Sequence, residues 1–336
     1  MKPADSVLVM GAGSIGCWLG GRLQAQGTPV HLVGRPRVLQ GLSQHGLTLT
    51  DRDGGKLMLP ASQLSLHTAV PSGVAPALVL LCVKSQATAR AAEELAAALP
   101  RGTLVVSMQN GIRNAAVARA AAPSLDIVPG MVPFNVAEIG PGQFHRGTTG
   151  DLAVQAHATL ASWVPRFQQA GLPLHQHDDL LAVQWGKLLL NLNNAVNALS
   201  GLPLRQQLLD RDFRECTAAL IAETLVVLKK AGIQPAAMSP LPPKRLPGVL
   251  RLPTPVFRLV ASRMLRIDRQ ARSSMADDLA RGRTTEIDAI QGEVLRLASS
   301  VGAMAMINTR ISELIRAWPD HRQAISGRGL RAALGL

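Results

Sequence analysis

The chain of 336 residues has no tyrosine, and its five phenylalanines and four tryptophans make aromatics 3% of the whole. Without rings interleaved among its cations it lacks the stacking platform of a single-strand binder, and no nucleic-acid partner is expected. Cysteine is nearly as scarce. Cys17, Cys82 and Cys216 are odd in number and far apart, which excludes a disulfide framework and any metal-ligand spacing. They read as buried thiols in a reducing cytoplasm, the expected location, and no metal is expected. No apolar run reaches the roughly 18 residues of a membrane span; the stretch 69–83 is broken by Pro71, Ser72, Gly73 and Pro76. The apolar N-terminal stretch has no basic leader beyond Lys2, so neither a signal peptide nor a membrane partner is expected.

Acids are also in deficit, 22 against 35 lysines and arginines, for a net charge of +13. Much of the excess lies in Lys244, Arg245, Arg251, Arg258, Arg263, Arg266, Arg269 and Arg272, with Asp268 the only acid among them. This reads as a solvated helix face, and a positive field favours an anionic cofactor and substrate. A hydrophobic fraction of 47% and a charged fraction of 17% describe an ordered globular chain. Its length suggests two domains.

The most informative segment is Gly11-Ala12-Gly13-Ser14-Ile15-Gly16, which follows the apolar run Val7-Leu8-Val9-Met10 and precedes a helical stretch from Trp18 to Gln24. Strand, glycine turn and helix make a dinucleotide site: the first glycine for the turn, the second for backbone approach to a pyrophosphate, the third for helix-on-strand packing. About twenty residues on, where an Asp or Glu would hold the ribose 2′-hydroxyl, the chain reads Gly34-Arg35-Pro36-Arg37, with no acid between Asp5 and Asp51. Arg35, supported by Arg37, can instead grip a 2′-phosphate, so the expected cofactor is NADPH/NADP.

Up to about residue 178, short β-type runs alternate with helical ones: 78–83, 87–99, 103–107 and a run near Ile127. Thr48 to Leu59, centred on Asp53-Gly54-Gly55, reads as an inserted hairpin. Beyond Asp178 the periodicity predicts helices at 180–198, 213–230, about 255–280, 286–301 and 309–317, with a proline-rich loop over 234–255. The expected fold is α/β, a Rossmann-type parallel-sheet domain that binds NADP over 1–178, followed by an all-helical substrate and catalytic domain over 179–336.

Candidate site residues fall in both halves. Lys84 and Ser85, and Gln109-Asn110-Gly111, follow strand runs, where open parallel sheets bind ligands, although Asn-Gly is also a common turn pair. On the first helix of the second half, Lys187, Asn191 and Asn194 fall within about 60° of one another, a narrow polar stripe between leucines. A lysine in such surroundings either snorkels to solvent or carries the depressed pKa of a general acid. Glu286 falls in the first turn of a later helix, capped by Thr284 or Thr285. It lies twelve residues after Ser274, so both reach one small ligand only if the chain breaks near Gly282.

Together GAGSIG at Gly11, CVKSQAT at Cys82, QNG at Gln109, PGQFHRG at Pro141, WGKLLLN at Trp185, SSM at Ser273 and TEID at Thr285 give a chain that resembles the ketopantoate reductases (2-dehydropantoate 2-reductases) over nearly its whole length. The resemblance implies a cytoplasmic oxidoreductase of pantothenate biosynthesis, reducing ketopantoate to pantoate with NADPH on the way to coenzyme A. It implies Lys187 as the acid that protonates the nascent alkoxide, Asn110 meeting cofactor and substrate, Asn191 and Ser274 holding substrate, and Glu286 helping to order both ligands. The partner is then a small 2-oxo acid, and a homodimer is allowed. Ala195 and Ala271 stand where the family commonly has asparagines. Asn194 is expected to replace the first, whereas Asn197, turned about 80° away, is expected to matter little to binding. These departures keep another branched 2-oxo acid open as the substrate, beside a non-catalytic NADP-binding sensor.

Overall fold

Strand β1 (Val7–Met10) is apolar and buried at all four positions, the mark of a parallel strand covered on both faces. It lies inside an eight-stranded sheet of the computed structural model, which describes residues 5–262, 265, 268 and 271–336. In chain order follow β2 (Val30–Val33), β3 (Leu47–Asp51), β4 (Lys56–Leu59), β5 (Ser65–His67), β6 (Leu78–Leu81) and β7 (Leu104–Ser107). Then come β8 (Asp126–Met131), β9 (Val136–Gly140), β10 (Gln143–Arg146), β11 (Leu152–Gln155) and β12 (Leu174–His177). The large sheet runs β12-β11-β8-β7-β6-β1-β2-β5, parallel except where β11 meets β8. Its segment from β5 to β8 has the 3-2-1-4-5-6 order of dinucleotide-binding sheets, with the order reversing between β1 and β6.

Alternation along each strand sends one set of apolar residues to either face. Val7, Val9, Val30, Leu32, Leu78 and Leu80 form one core with Cys17, Leu19 and Leu23 of α1 (Ser14–Gln24) and with Val38, Leu39 and Leu42 of α2 (Pro36–His45). Leu8, Met10, Val79, Leu81 and Val105 form the other with α3 (Thr88–Ala98) and α4 (Asn114–Ala121). Helix α5 (Val164–Gln169) buries Phe167.

The hairpin expected over 48–59 is present as β3 and β4, with Asp51 Oδ1 accepting from the amides of Asp53 and Gly55 in the turn. It is part of a second sheet, β4-β3-β10-β9, that periodicity did not reveal. Leu47, Leu49 and Phe144 of this sheet join the α1 core, and Gly21 of α1 leaves room for Leu47, whose Cδ2 would stand 2.5 Å from a Cβ there.

By its contacts the chain divides into two compact units, Met1–Leu180 and Leu181–Leu336, against an expected division after residue 178. From α6 (Leu180–Asn191) onward every described element is helical: α7 (Asn193–Ser200), α8 (Leu204–Leu209), α9 (Arg211–Lys230), α10 (Leu246–Leu250) and α11 (Thr254–Val260), then α12 (Ser274–Ala280), α13 (Ile287–Ser300), α14 (Met306–His321) and α15 (Gly327–Leu334).

Three helix expectations are corrected. The helix expected over 180–198 is two, parted at Leu192. Of the helix expected over 255–280, the described residues show α11 at one end and α12 at the other, where Ser273 in extended backbone caps α12 by accepting from Ala276 N. The proline-rich loop contains α10, with Pro247 in its first turn, where a missing N–H costs nothing. Arg263, Arg266 and Arg269 of the basic cluster, on which the longer helix also fell, lie outside the described residues.

What holds the α8–α11 region is one buried cation. The Arg214 guanidinium donates to the carbonyls of Leu208 (3.0 Å), Leu250 (2.9 Å) and Leu252 (2.9 Å) and to Thr254 Oγ1 (3.2 Å), and stacks 4.3 Å from the Phe257 ring. Arg214→Met keeps the apolar stem but strands buried carbonyls, and we expect a loss of about 3 kcal/mol in chemical unfolding. A change below about 0.5 kcal/mol would show that the carbonyls find other donors.

Candidate active site

The three glycines after β1 carry distinct steric duties. Gly11 has φ +112°, and a Cβ on it would stand 2.6 Å from Val83 N and 2.7 Å from the Cys82 carbonyl carbon. A Cβ on Gly16 would stand 2.2 Å from Gly11 O and 2.8 Å from Val9 Cγ1. Chain packing therefore consumes the first and third glycines. At Gly13 a Cβ would meet nothing within 4 Å, so its absence bares backbone at the start of α1. Gly13 caps α1 without a side-chain hydrogen bond, and Ser14 and Ile15 occupy the first turn, whose N–H groups have no intrahelical acceptor. A bare, donor-rich helix N-terminus fits a pyrophosphate.

Neighbouring strand ends converge on this turn. The amides of Gly11 and Ala12 both donate to Val33 O, at 2.9 and 2.8 Å, and Gly34 passes so close that its Cβ would stand 2.7 Å from that of Ala12. Arg35 follows, exposed, as the N-cap residue of α2. Arg37 does not support it as expected. Its guanidinium makes a bidentate pair with Glu138 of β9, at 2.7 and 2.8 Å, which holds it against the second sheet.

After β6, Lys84 is partly buried ahead of the short turn Ser85–Ala87. After β7, Gln109 donates to Val83 O and Thr88 Oγ1 (both 2.8 Å) and accepts from Ser107 Oγ (2.8 Å). The Asn110 carbonyl accepts from Asn114 Nδ2 at 2.5 Å and Ser85 Oγ at 3.4 Å, while Gly111 takes φ +90°. Gln109, Thr88 and Asn114 thus set the geometry of both loops. Sequence reasoning did not single out their roles, because uncharged polar residues give no periodic signal.

In the second unit, the break at Leu192 places Lys187 and Asn191 on α6 and Asn194 on α7. Leu192 keeps right-handed helical angles, φ −56° and ψ −28°, so the break is slight. It is held from three sides. Gln291 Nε2 of α13 donates to Leu192 O (3.2 Å), Thr217 Oγ1 of α9 donates to Asn193 Oδ1 (2.8 Å), and Ser273 Oγ donates to Asn194 O (3.2 Å). Asparagines favour such competition with the helix backbone. Lys187 is partly buried, and loss of water around its ammonium lowers its pKa from 10.5 to about 8.

Ser274 is exposed in the first turn of α12, and its neighbour Ser273 is the fully buried cap. Glu286 is itself the N-cap residue of α13 and makes no side-chain cap bond, in place of the Thr284 or Thr285 cap expected. The chain does break between the two residues: α12 ends at Ala280 and Gly282 takes φ +61°. Ala195 is fully buried and presents no surface to a ligand. Among the described residues no helix is long and apolar enough to cross a membrane, and no three His, Cys, Asp or Glu side chains converge as for a metal.

The family model for ketopantoate reductase PanE/ApbA matches residues 7–159, and its C-terminal counterpart matches 179–318. The chain belongs to the ketopantoate reductase family. It is 28% identical over 330 residues to a 2-dehydropantoate 2-reductase of Halobacterium salinarum, covering 92% of this chain and 97% of that one. A PanE/ApbA family ketopantoate reductase of Ralstonia eutropha superposes with a TM-score of 0.78 at 28% identity, covering 95% and 99% of the two chains. A D-mandelate dehydrogenase solved with NADH and anilino(oxo)acetate superposes at 0.77 with 20% identity over 94% and 98%, a likeness of fold. The family makes this chain an oxidoreductase of the 2-dehydropantoate 2-reductase type.

Asn197, expected to matter little to binding, has a place in the fold. It is fully buried, Oδ1 accepting from Ser273 N (2.9 Å) and Nδ2 donating to Leu202 O (2.9 Å). Asn197→Ala should therefore cost about 2–3 kcal/mol in chemical unfolding, from two severed buried hydrogen bonds. A neutral result would show that the α7–α12 junction is held by Ser273 Oγ alone.

Proposed function

We propose that this chain reduces 2-dehydropantoate to pantoate with NADPH, and that Lys187 is the general acid. The observation that carries the reading is the lysine itself: partly buried, depressed to about 8, on the helix that also bears Asn191. NADPH, when bound, supplies the hydride for the carbonyl carbon. The Lys187 ammonium donates a hydrogen bond to the substrate carbonyl oxygen, stabilises the charge that develops there and gives it a proton. Water then returns a proton to the neutral amine. A lysine near pKa 8 gives up its proton more readily than one at 10.5 while still holding it at neutral pH.

For Asn110, Asn191, Ser274 and Glu286 the roles follow the family resemblance; for Asn194, Arg35, Lys84 and the glycine turn they follow from position and chemistry. Asn191, Asn194 and Ser274 hold the 2-oxo acid, Glu286 helps to order cofactor and substrate, and Asn110, with its backbone fixed by Asn114 and Ser85, meets both. Gly11, Gly13, Ser14, Ile15 and Gly16 cradle the pyrophosphate, Lys84 adds charge, and Arg35 takes the 2′-phosphate. A cytoplasmic homodimer belongs to the same reading. A different branched 2-oxo acid is the second reading, favoured by one observation: Ala195, where the family commonly has an amide, is closed off in the core.

Two experiments test this. With Arg37 locked to Glu138, preference for NADPH rests on Arg35, and Arg35→Asp should abolish most of it; equal kcat/KM for NADPH and NADH in the parent enzyme would refute the assignment. For the acid, kcat should be flat below pH 8 and fall about tenfold per unit above it, as the ammonium is lost. Lys187→Ala should lose roughly 10²–10⁴ in kcat while still binding NADPH. A variant with near-normal turnover would mean that the proton comes from elsewhere.

A further inference from the structure

Where β5 pairs with β2, one small group of lone-pair donors is gathered on the sheet. Strand β5 is the edge strand beside β2, and their parallel register sets His31 opposite Ser65 and Val33 opposite His67. The period of two then puts His31, Ser65 and His67 on one face. All three are partly buried. His31 Nδ1 stands 3.3 Å from His67 Nε2 and 3.1 Å from Ser65 Oγ, and Ser65 Oγ stands 2.7 Å from His67 Nε2. The ring centroids are 5.4 Å apart at an interplanar angle of 46°.

These distances can be set against coordination geometry. Two nitrogens each about 2.0–2.1 Å from a tetrahedral zinc ion lie about 3.3 Å apart, which is the separation observed here. We propose that His31 Nδ1 and His67 Nε2 form a binding site for a borderline divalent transition metal of the zinc class, with Ser65 Oγ or water completing the shell. Imidazole pairs select such ions over magnesium and calcium, which take oxygen ligands.

Metal-free, the cluster satisfies itself. With His31 protonated at Nδ1 and His67 at Nδ1, the Ser65 hydroxyl can accept from the first ring and donate to Nε2 of the second, which holds both rings in place without an ion. In that arrangement His67 presents a lone pair at Nε2. His31 must move its proton from Nδ1 to Nε2, a change of tautomer with no net proton released. Binding also joins β5 to β2 through side chains, in addition to their backbone ladder.

The test is calorimetric titration of the full chain with zinc chloride, paired with the visible absorption of bound Co²⁺. One site per chain is expected. His31→Gln and His67→Gln should each weaken it by at least about tenfold, Ser65→Ala should retain it, and excess Mg²⁺ should not compete. No zinc binding by the parent, or parental affinity in the His31→Gln/His67→Gln double variant, would overturn the proposal. If the glutamine variants fail to fold, anomalous scattering from zinc-soaked parent crystals decides: a peak between the two rings supports the site, and peaks elsewhere alone refute it.

Discussion

The half that carries the large sheet rests on a steric constraint, the absence of two Cβ atoms. With a side chain at Gly11, β1 could not end against Val83; with one at Gly16, α1 could not start against the Gly11 carbonyl. Those two contacts fix where the helix begins relative to the strand ends. The amides of Gly11 and Ala12 then tie the turn to Val33, and Gly34 passes alongside with no side chain of its own. Arg35 is placed by this chain of close approaches, and it projects from a rigid base although it is exposed.

The helical half depends on a different constraint, the accounting of polar groups around Leu192. A helix that pauses there must find donors for its carbonyls, and Gln291 of α13 and Ser273 at the start of α12 supply them, while Thr217 of α9 holds the Asn193 side chain. Asn197 closes the arrangement from below by fixing the Ser273 amide. The residues that hold the site are thus buried amides and hydroxyls, and none of them need touch a ligand. Their cost if left unpaired, about 1–3 kcal/mol each, is what makes the junction specific.

Much of this is legible in the sequence. The four-residue apolar strands, the glycine spacing and the switch to helical periodicity after Asp178 each have a local cause, and each is visible in a window of a dozen residues. The second sheet was not legible, because β9 and β10 are short, and β10 is held by β3, a partner nearly a hundred residues away. The pairing of Arg37 with Glu138 was hidden for the same reason: 101 residues separate them. The break at Leu192 lay beyond periodicity too, since the apolar pattern runs through it and only the partners of the backbone reveal it. Of the polar stripe, Lys187 could be recognised by its leucine neighbours, whereas the supporting Gln109, Thr88 and Gln291 look like any other uncharged residue.

The three cysteines have a practical consequence. Burial pushes the Cys17 thiol well above its ordinary range, and holds Cys82 and Cys216 up at about 12. The thiolate, not the thiol, attacks maleimides, iodoacetamide and peroxide. Cys17 and Cys216, buried as well as held protonated, are shielded from such reagents, whereas Cys82 is only partly buried. Cys82 is therefore the one native thiol to replace before a cysteine introduced on the surface carries a dye or a spin label.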